Sequence, residues 1–241
     1  MNRSLFRWSV VVPIVLYAAH FAVMVLGRPT RPHWYLSELG PHEIGSGLLF
    51  LAAAVLAGHL VLRRRRVLPP KGRALIALLA VGMAFIALEE LSYGQHLVGW
   101  ERPAFFETRN VQKETNLHNL YGQGGQRLLS NVGEIALPVV GLILPAVFHF
   151  FSNDAYDRNH WPRYLMPRWE LATPAVLSLS LRAIKDLAPV ILEHKATDEF
   201  MEFIWAWAAL MLVLVIRDRV KREDEPAEGS TAESAPAYSE P

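Results

Sequence analysis

The sequence contains no cysteine, which excludes disulfide bonds, thiolate metal ligands and a cysteine nucleophile. Its charges almost cancel, leaving a net charge of +1, and no sustained basic surface points to nucleic acid as a partner. Several catalytic signatures are absent as well. The chain has no H-E-x-x-H zinc helix, no Glu-x-x-His pair of the di-iron bundles, no G-x-S-x-G elbow and no Gly-Lys-Ser/Thr phosphate loop.

Apolar residues, in contrast, make up 52% of the chain and are gathered into long blocks. A helix needs about 20 residues to cross the hydrocarbon layer of a bilayer. We therefore predict an all-α, integral membrane helical bundle in residues 1–222, with six spans at about 9–27, 44–62, 74–93, 132–151, 171–192 and 198–216. The fifth is unusual because Arg182, Lys185 and Asp186 lie inside it. Residues 223–241 are acidic and rich in Pro, Ser and Ala, which predicts a disordered tail.

Positive charges predict how the bundle is oriented, since Lys and Arg accumulate on the cytoplasmic side of a membrane protein. If both termini are cytoplasmic, the cytoplasmic segments hold 15 of the 24 basic residues. These residues are Arg3, Arg7, Arg63, Arg64, Arg65, Arg66, Lys71, Arg73, Arg158, Arg163, Arg168, Arg217, Arg219, Lys221 and Arg222. The pattern indicates a multi-pass protein of the inner (plasma) membrane with both termini cytoplasmic, in contact with the lipid bilayer.

The opposite side of the predicted bundle collects acids and histidines. These residues are Glu38, His42, Glu43, Glu89, Glu90, His96, Glu114, His118, Glu134, Asp186, Glu193, His194, Asp198, Glu199 and Glu202. The uncharged parts of the third and sixth spans, residues 74–88 and 203–216, are shorter than a bilayer requires. We therefore expect Glu89, Glu90 and Glu202 to lie inside the outer leaflet, where a charge is costly and indicates function.

Some of these residues recur at the spacing of one helix face, i, i+3, i+4 and i+7. The stripes are Glu89 with Ser92, Tyr93 and His96; Arg127 with Asn131 and Glu134; Asp198 with Glu202; and Arg182 with Asp186. We interpret the last of these as a structural ion pair that lets the fifth span insert. Lone histidines inside spans, such as His20, are interpreted as packing residues.

One interpretation of these polar residues is that they bind a divalent metal ion. Glu114 and His118 are four residues apart, the spacing by which a helix face presents a carboxylate and an imidazole to one ion. With Glu202 they form a candidate site for zinc, iron or manganese. The same groups also suit acid–base catalysis without a metal, because burial moves the pKa of a carboxyl group toward neutrality.

One specific segment carries a resemblance. It runs from "EELSYGQHLVGWERPAFF" to "NVQKETNLHNLYG" and contains Glu89, Glu90, Ser92, Tyr93, Gly94, Gln95, Gly99, Trp100, Pro103, Phe106, Asn110, Gln112, Glu114, Thr115, Asn116, Leu117, His118 and Asn119. This pattern resembles the signature of an uncharacterised family of bacterial polytopic membrane proteins. The resemblance implies a shared site but names no reaction.

Three functions fit these observations. In the first, the protein is a membrane-embedded hydrolase or transferase that acts on a lipid or lipid-linked head group. Its candidate catalytic residues are Glu89, Glu90 and His118, and its candidate substrate-binding or orienting residues are Ser92, Tyr93, Gln95, Asn116, Asn119 and Glu134. In the second, it is a non-catalytic scaffold or assembly protein whose polar residues fix helix packing. In the third, it is a cation- or proton-coupled transporter, although the spans show no obvious inverted repeat.

Overall fold

The computed structural model of the protein describes residues 3–26, 40–101, 103–110, 115, 117, 131, 133–151, 165–166, 169–187 and 194–224. Within these ranges all regular structure is helical. The helices are α1 (Arg3–Leu26), α2 (Pro41–Arg63), α3 (Pro70–Glu90), α4 (Gln95–Val98), α5 (Ala104–Arg109), α6 (Gly133–Phe151), α7 (Ala172–Leu187) and α8 (His194–Asp224). The predicted all-α class is confirmed.

Five of these helices, α1, α2, α3, α6 and α8, are long and apolar enough to cross a membrane. They support a multi-pass membrane protein in contact with lipid. The predicted fifth span contains α7, which has 16 residues and is about 24 Å long, while residues 188–192 lie outside the described ranges. The count of six spans and the orientation of the termini therefore remain predictions. The part of the predicted tail that follows Asp224 also lies outside the described ranges.

Proline and glycine set local features of the helices. Pro41 and Pro70 begin α2 and α3, where proline fits because the first turn has no intrahelical acceptor for an N–H. In α6 a π-helical stretch, Val139–Ile143, precedes Pro145. Gly141 lies in that stretch, and a Cβ atom there would meet the Leu171 carbonyl oxygen at 2.7 Å. The absent side chain thus allows α6 to pack closely against the start of α7.

Helix α8 occupies the centre of the bundle, and more than half of its apolar stretch is buried. One side of it packs against α2, which in turn packs against α3, and Phe50 and Ala57 of α2 belong to one apolar cluster with Val213 of α8. Its other side packs against α1 and α7, where Leu181 and Ile204 belong to a second cluster. Helix α8 therefore joins the hairpin formed by α2 and α3 to the pair formed by α1 and α7.

Close contacts bring the start of α2, the end of α3 and the first half of α8 to the same end of the bundle. A Cβ atom at Gly45 would lie 2.5 Å from the Phe203 ring of α8. One at Gly47 would lie 2.7 Å from Cγ of Leu91, just after α3. The four basic residues near the C-terminal end of α8, Arg217, Arg219, Lys221 and Arg222, lie at the other end of the bundle, where Arg219 pairs with buried Glu170 at 3.0 Å.

Candidate functional site

Glu90, the last residue of α3, is bonded to the neighbouring helix α2. The Ser46 hydroxyl, which is completely buried, donates a hydrogen bond to Glu90 Oε2 at 2.8 Å. The same Oγ lies 2.9 Å from the Glu43 carbonyl oxygen one turn earlier in α2. Since Gly47 leaves room beside the Glu90 Cβ atom, α2 approaches closely enough for this bond to form.

Glu202 on α8 lies within electrostatic reach of four other carboxyl groups. These are Glu43 on α2, Glu90 on α3, and Asp198 and Glu199 on α8. We call these five residues the carboxyl cluster. Glu202 is partly buried, and like charges repel strongly where water is scarce. A proton or a positively charged group among these carboxyl groups therefore lowers the energy of the arrangement.

Lys185 supplies one positive charge to this region. Its ammonium group forms an ion pair with Asp198, which joins α7 to α8. Arg182, one turn earlier in α7, bonds Asp186 at 2.9 Å and Glu134 at 2.7 Å. The predicted Arg182–Asp186 ion pair is confirmed. Glu134, a candidate orienting residue, is engaged with Arg182 and ties the start of α6 to α7.

Glu89 has a different environment from Glu90. Its side chain is only 3% exposed, and Oε1 accepts a hydrogen bond from the Tyr93 hydroxyl. Oε2 accepts a bond from the backbone N–H of Leu117 at 2.8 Å. Both donors belong to the segment that follows α3. Glu89 therefore fastens this segment to the end of the helix, which is a positioning role.

A second bond set fastens the same segment. Gln95 Oε1 accepts hydrogen bonds from both the backbone N–H and the hydroxyl of Thr115, each at 2.8 Å. Thr115 is buried. The chain after α3 consequently folds back at Thr115 and Leu117 onto the helix end. The side-chain oxygen of Gln95 is thus engaged in two bonds within the protein.

The predicted helix face from Glu89 to His96 is wrong, because α3 ends at Glu90. Ser92 and Tyr93 have φ angles of 45° and 53°, and Gly94 has 82°. A left-handed conformation costs a residue other than glycine about 1–2 kcal/mol. The bonds from Tyr93 to Glu89 and from Gly94 N to Leu91 O (2.8 Å) accompany this turn. Ser92 is fully buried inside it.

Tyr93 is held in its protonated form. Burial, the hydrogen bond to Glu89 and the negative charge of that carboxylate raise the pKa of Tyr93 to about 12. A phenol that donates to a carboxylate loses its proton with difficulty, because two negative charges would then face each other. Tyr93 therefore acts as a hydrogen-bond donor throughout the physiological pH range.

Two histidines pack beside the carboxyl cluster. His20 of α1 stacks on the Phe200 ring at 4.2 Å between ring centroids, with an interplanar angle of 4°. His42 of α2 lies edge-on to His20 at 5.5 Å and to Phe203 at 6.0 Å. The interpretation of His20 as a packing residue is confirmed by this contact.

The metal prediction rests mainly on residues outside the described ranges. Glu114 and His118 lie there, as do the candidate orienting residues Asn116 and Asn119. Within the described part of the chain, no three His, Asp or Glu side chains group closely enough to hold a metal ion. Glu202 thus has no metal-site partners among those residues, and a metal ligated with Glu114 and His118 stays a prediction.

Sequence reasoning did not single out Ser46. Ser46 lies three residues after Glu43, at the start of an otherwise apolar helix. Its polar side chain, on the side of the bundle predicted to collect acids, is the feature of the sequence that could have identified Ser46 as a site residue. The partner that it binds, however, lies 44 positions away in the chain, and no local pattern indicates such a pairing.

Comparison of the chain with protein-family models, with curated proteins and with solved structures gives no match. The resemblance of the segment around Glu89 and His118 to a family of polytopic membrane proteins therefore remains a prediction.

Proposed function

We propose that the protein is a membrane-embedded hydrolase or transferase whose substrate is a lipid or a lipid-linked molecule with a polar head group. One observation carries this proposal: Glu90 and Glu202 come from different helices into one carboxyl cluster, and Ser46 orients Glu90. Two carboxyl groups within electrostatic reach of each other can supply the acid and the base that group transfer requires. We assign Glu90 as the general base and Glu202 as the group that exchanges a proton with it.

The depth of the cluster favours an amphiphilic substrate. The uncharged part of α8, residues 203–216, is about 21 Å long at 1.5 Å per residue, shorter than the roughly 30 Å hydrocarbon layer. Glu202 therefore lies at or just inside the boundary of the hydrocarbon layer. A lipid head group reaches this depth while its acyl chains stay in the bilayer.

A non-catalytic scaffold is the second candidate, and the internal bonds of three predicted site residues favour it. Glu89, Gln95 and Glu134 each hold two parts of the chain together. In a protein that used its polar residues only for assembly, Glu90 would likewise serve only to hold two helices together. The two functions differ in what happens when Glu202 loses its charge but keeps its shape.

The test uses purified protein in vesicles made from the total membrane lipid of the source cells. Mass spectrometry follows the loss or transfer of head groups for the wild type, Glu202→Gln and the exposed-site control Glu101→Gln. Turnover by the wild type and the control, with a loss of about 100-fold or more in Glu202→Gln, supports acid–base catalysis. Equal lipid profiles for wild type and empty vesicles would reject the enzyme.

The same vesicles separate the remaining alternatives. A pH-sensitive dye inside them reports proton movement, and proton flux that depends on Glu202 without head-group turnover would indicate a cation- or proton-coupled transporter. Elemental analysis of the purified protein tests the metal-dependent form of the enzyme. A stoichiometric divalent metal that falls in His118→Ala would support it, whereas its absence from the wild type leaves metal-free acid–base catalysis.

A further inference from the structure

The segment after α3 presents large apolar side chains that no described helix covers. Val98 is 81% exposed, Trp100 46% and Phe105 50%. Val98 ends α4, Trp100 follows it, and Phe105 belongs to the short helix α5. Large exposed apolar side chains that follow one another closely in the chain are candidates for an interaction surface.

The position of this segment relative to the bilayer follows from the length of α3. Its 21 residues extend about 31 Å, which matches the roughly 30 Å hydrocarbon layer. The outward-facing Leu78, Val81 and Leu88 of α3 are exposed apolar residues of a membrane-spanning helix. The chain that leaves α3 at Glu90 therefore emerges at the head-group end of the helix, and Val98 and Trp100 follow as further exposed apolar side chains.

The bonds at the helix end keep the segment at that level. The left-handed turn at Ser92, Tyr93 and Gly94 makes the chain leave the axis of α3. Farther along the chain, the Leu117 backbone binds Glu89. Thr115 binds Gln95. The described residues between these anchors, 98–101 and 103–110, therefore belong to a stretch of chain that is bonded to the end of α3 on both sides.

The side-chain chemistry fits phospholipid head groups. Tryptophan prefers the membrane–water interface, where its ring meets both apolar and polar groups. The Arg109 guanidinium group lies over the Phe105 ring, 4.9 Å from its centroid, so a cation and an apolar ring occupy one face of α5. That combination is typical of segments whose apolar side enters the interface while a cation stays with the phosphates.

We propose that Val98, Trp100 and Phe105 form a docking surface that inserts among phospholipid head groups, with Arg109 at the level of the phosphates. This surface is independent of the reaction proposed above. Because the segment directly follows the membrane-spanning helix α3, lipid is favoured over a second copy of the chain or a soluble partner protein. Glu101 and Glu107 are exposed charged residues of the same segment and serve as matched controls.

The absence of cysteine allows a direct test, because a single introduced cysteine is the only thiol. Nitroxide labels at Val98→Cys, Phe105→Cys, Glu101→Cys and Glu107→Cys are compared in vesicles of phosphatidylcholine and phosphatidylglycerol. Electron paramagnetic resonance measures collision of each label with oxygen, which partitions into lipid, and with a water-soluble nickel chelate. The oxygen-to-nickel ratio is expected to be higher at Val98 and Phe105 than at both controls.

Two outcomes overturn the proposal. Equally low oxygen-to-nickel ratios at all four positions would place the segment in water. Suppression of both kinds of collision at Val98 and Phe105 would show that another protein covers them. A second measurement needs no cysteine. Of the seven tryptophans, Trp100 is isolated by subtracting the emission of Trp100→Phe from that of the wild type. Lipids brominated near the head group should quench this difference more than lipids brominated near the chain end, and unquenched difference emission contradicts the proposal.

Discussion

Glu89 and Glu90 are consecutive residues at the end of α3, yet their carboxylates bind different parts of the protein. Glu89 accepts hydrogen bonds from Tyr93 and from the Leu117 backbone, both in the segment after the helix. Glu90 accepts one from Ser46 on α2 and belongs to the carboxyl cluster with Glu202. Successive helix residues point about 100° apart, since a turn contains 3.6 residues, so the pair divides into a positioning carboxylate and a candidate reactive one.

Glu89→Gln is expected to destabilise the protein. The glutamine side chain offers one acceptor oxygen and turns an NH₂ group toward the other donor, so a buried bond is lost. Such a loss costs about 1–3 kcal/mol, which lowers the melting temperature by about 2–4 °C per kcal/mol in a chain of this size. Thermal unfolding in detergent, followed by intrinsic fluorescence, measures the change. An unchanged melting temperature would show that Glu89 does not fasten the following segment.

Gly133→Ala tests the packing at the start of α6. A Cβ atom there would lie 2.6 Å from the Trp205 ring, whose Nε1 donates to Ser178 at 3.0 Å. Either α6 or the indole must move, and we expect a loss of about 1–3 kcal/mol. Gly82→Ala in α3 is the control, because its Cβ atom would meet nothing within 4 Å. The control should melt like the wild type or slightly higher. Equal melting of both variants would refute the close contact.

Tyr93 gives a pH-dependent prediction with a definite sign. Its pKa in the folded protein is raised to about 12 from an ordinary value of 10.0. The stabilisation from its bound proton is complete below pH 10 and is lost as the pH rises toward 12. Ultraviolet titration of the wild type minus Tyr93→Phe should therefore show one phenol ionising well above 10. Ionisation near 10 would mean that the bond to Glu89 does not form.

The sequence predicted the membrane-spanning helices well but only part of the polar geometry. Uninterrupted apolar blocks dictate spanning helices because a bilayer offers backbone groups no other partner. The end of α3 could not be predicted in the same way, since Ser92 and Tyr93 adopt left-handed angles that neither residue favours by itself. Those angles are supported by contacts with Glu89, and the bonds to Thr115 and Leu117 depend on tertiary structure.

The role of each polar residue was likewise decided by its partner. Arg182 and Asp186 are four residues apart in one helix, so their pairing could be predicted from their spacing in the sequence. Ser46 with Glu90 and Arg182 with Glu134 join separate helices, and only the packing of those helices brings them together. Local patterns therefore identified the ionisable residues but could not separate Glu89 from Glu90.

The predicted orientation is tested by labelling in intact cells. With both termini cytoplasmic, a cysteine at Thr108 should react with a membrane-impermeant maleimide, and one at Pro70 should react only after the cells are opened. Thr108 is exposed, and Pro70 begins α3 at the opposite end of the bundle from Glu90. The reverse labelling pattern would place the carboxyl cluster on the cytoplasmic side.

The most direct test of the account is Glu90→Gln, examined for head-group turnover and thermal unfolding in the same preparation. We predict that turnover falls by about 100-fold or more. Its melting temperature should remain within about 2 °C of the wild type, corresponding to a change below about 1 kcal/mol. Full turnover in Glu90→Gln, or a fall in melting temperature as large as that of Glu89→Gln, would contradict the assignment of Glu90 as the reactive carboxylate.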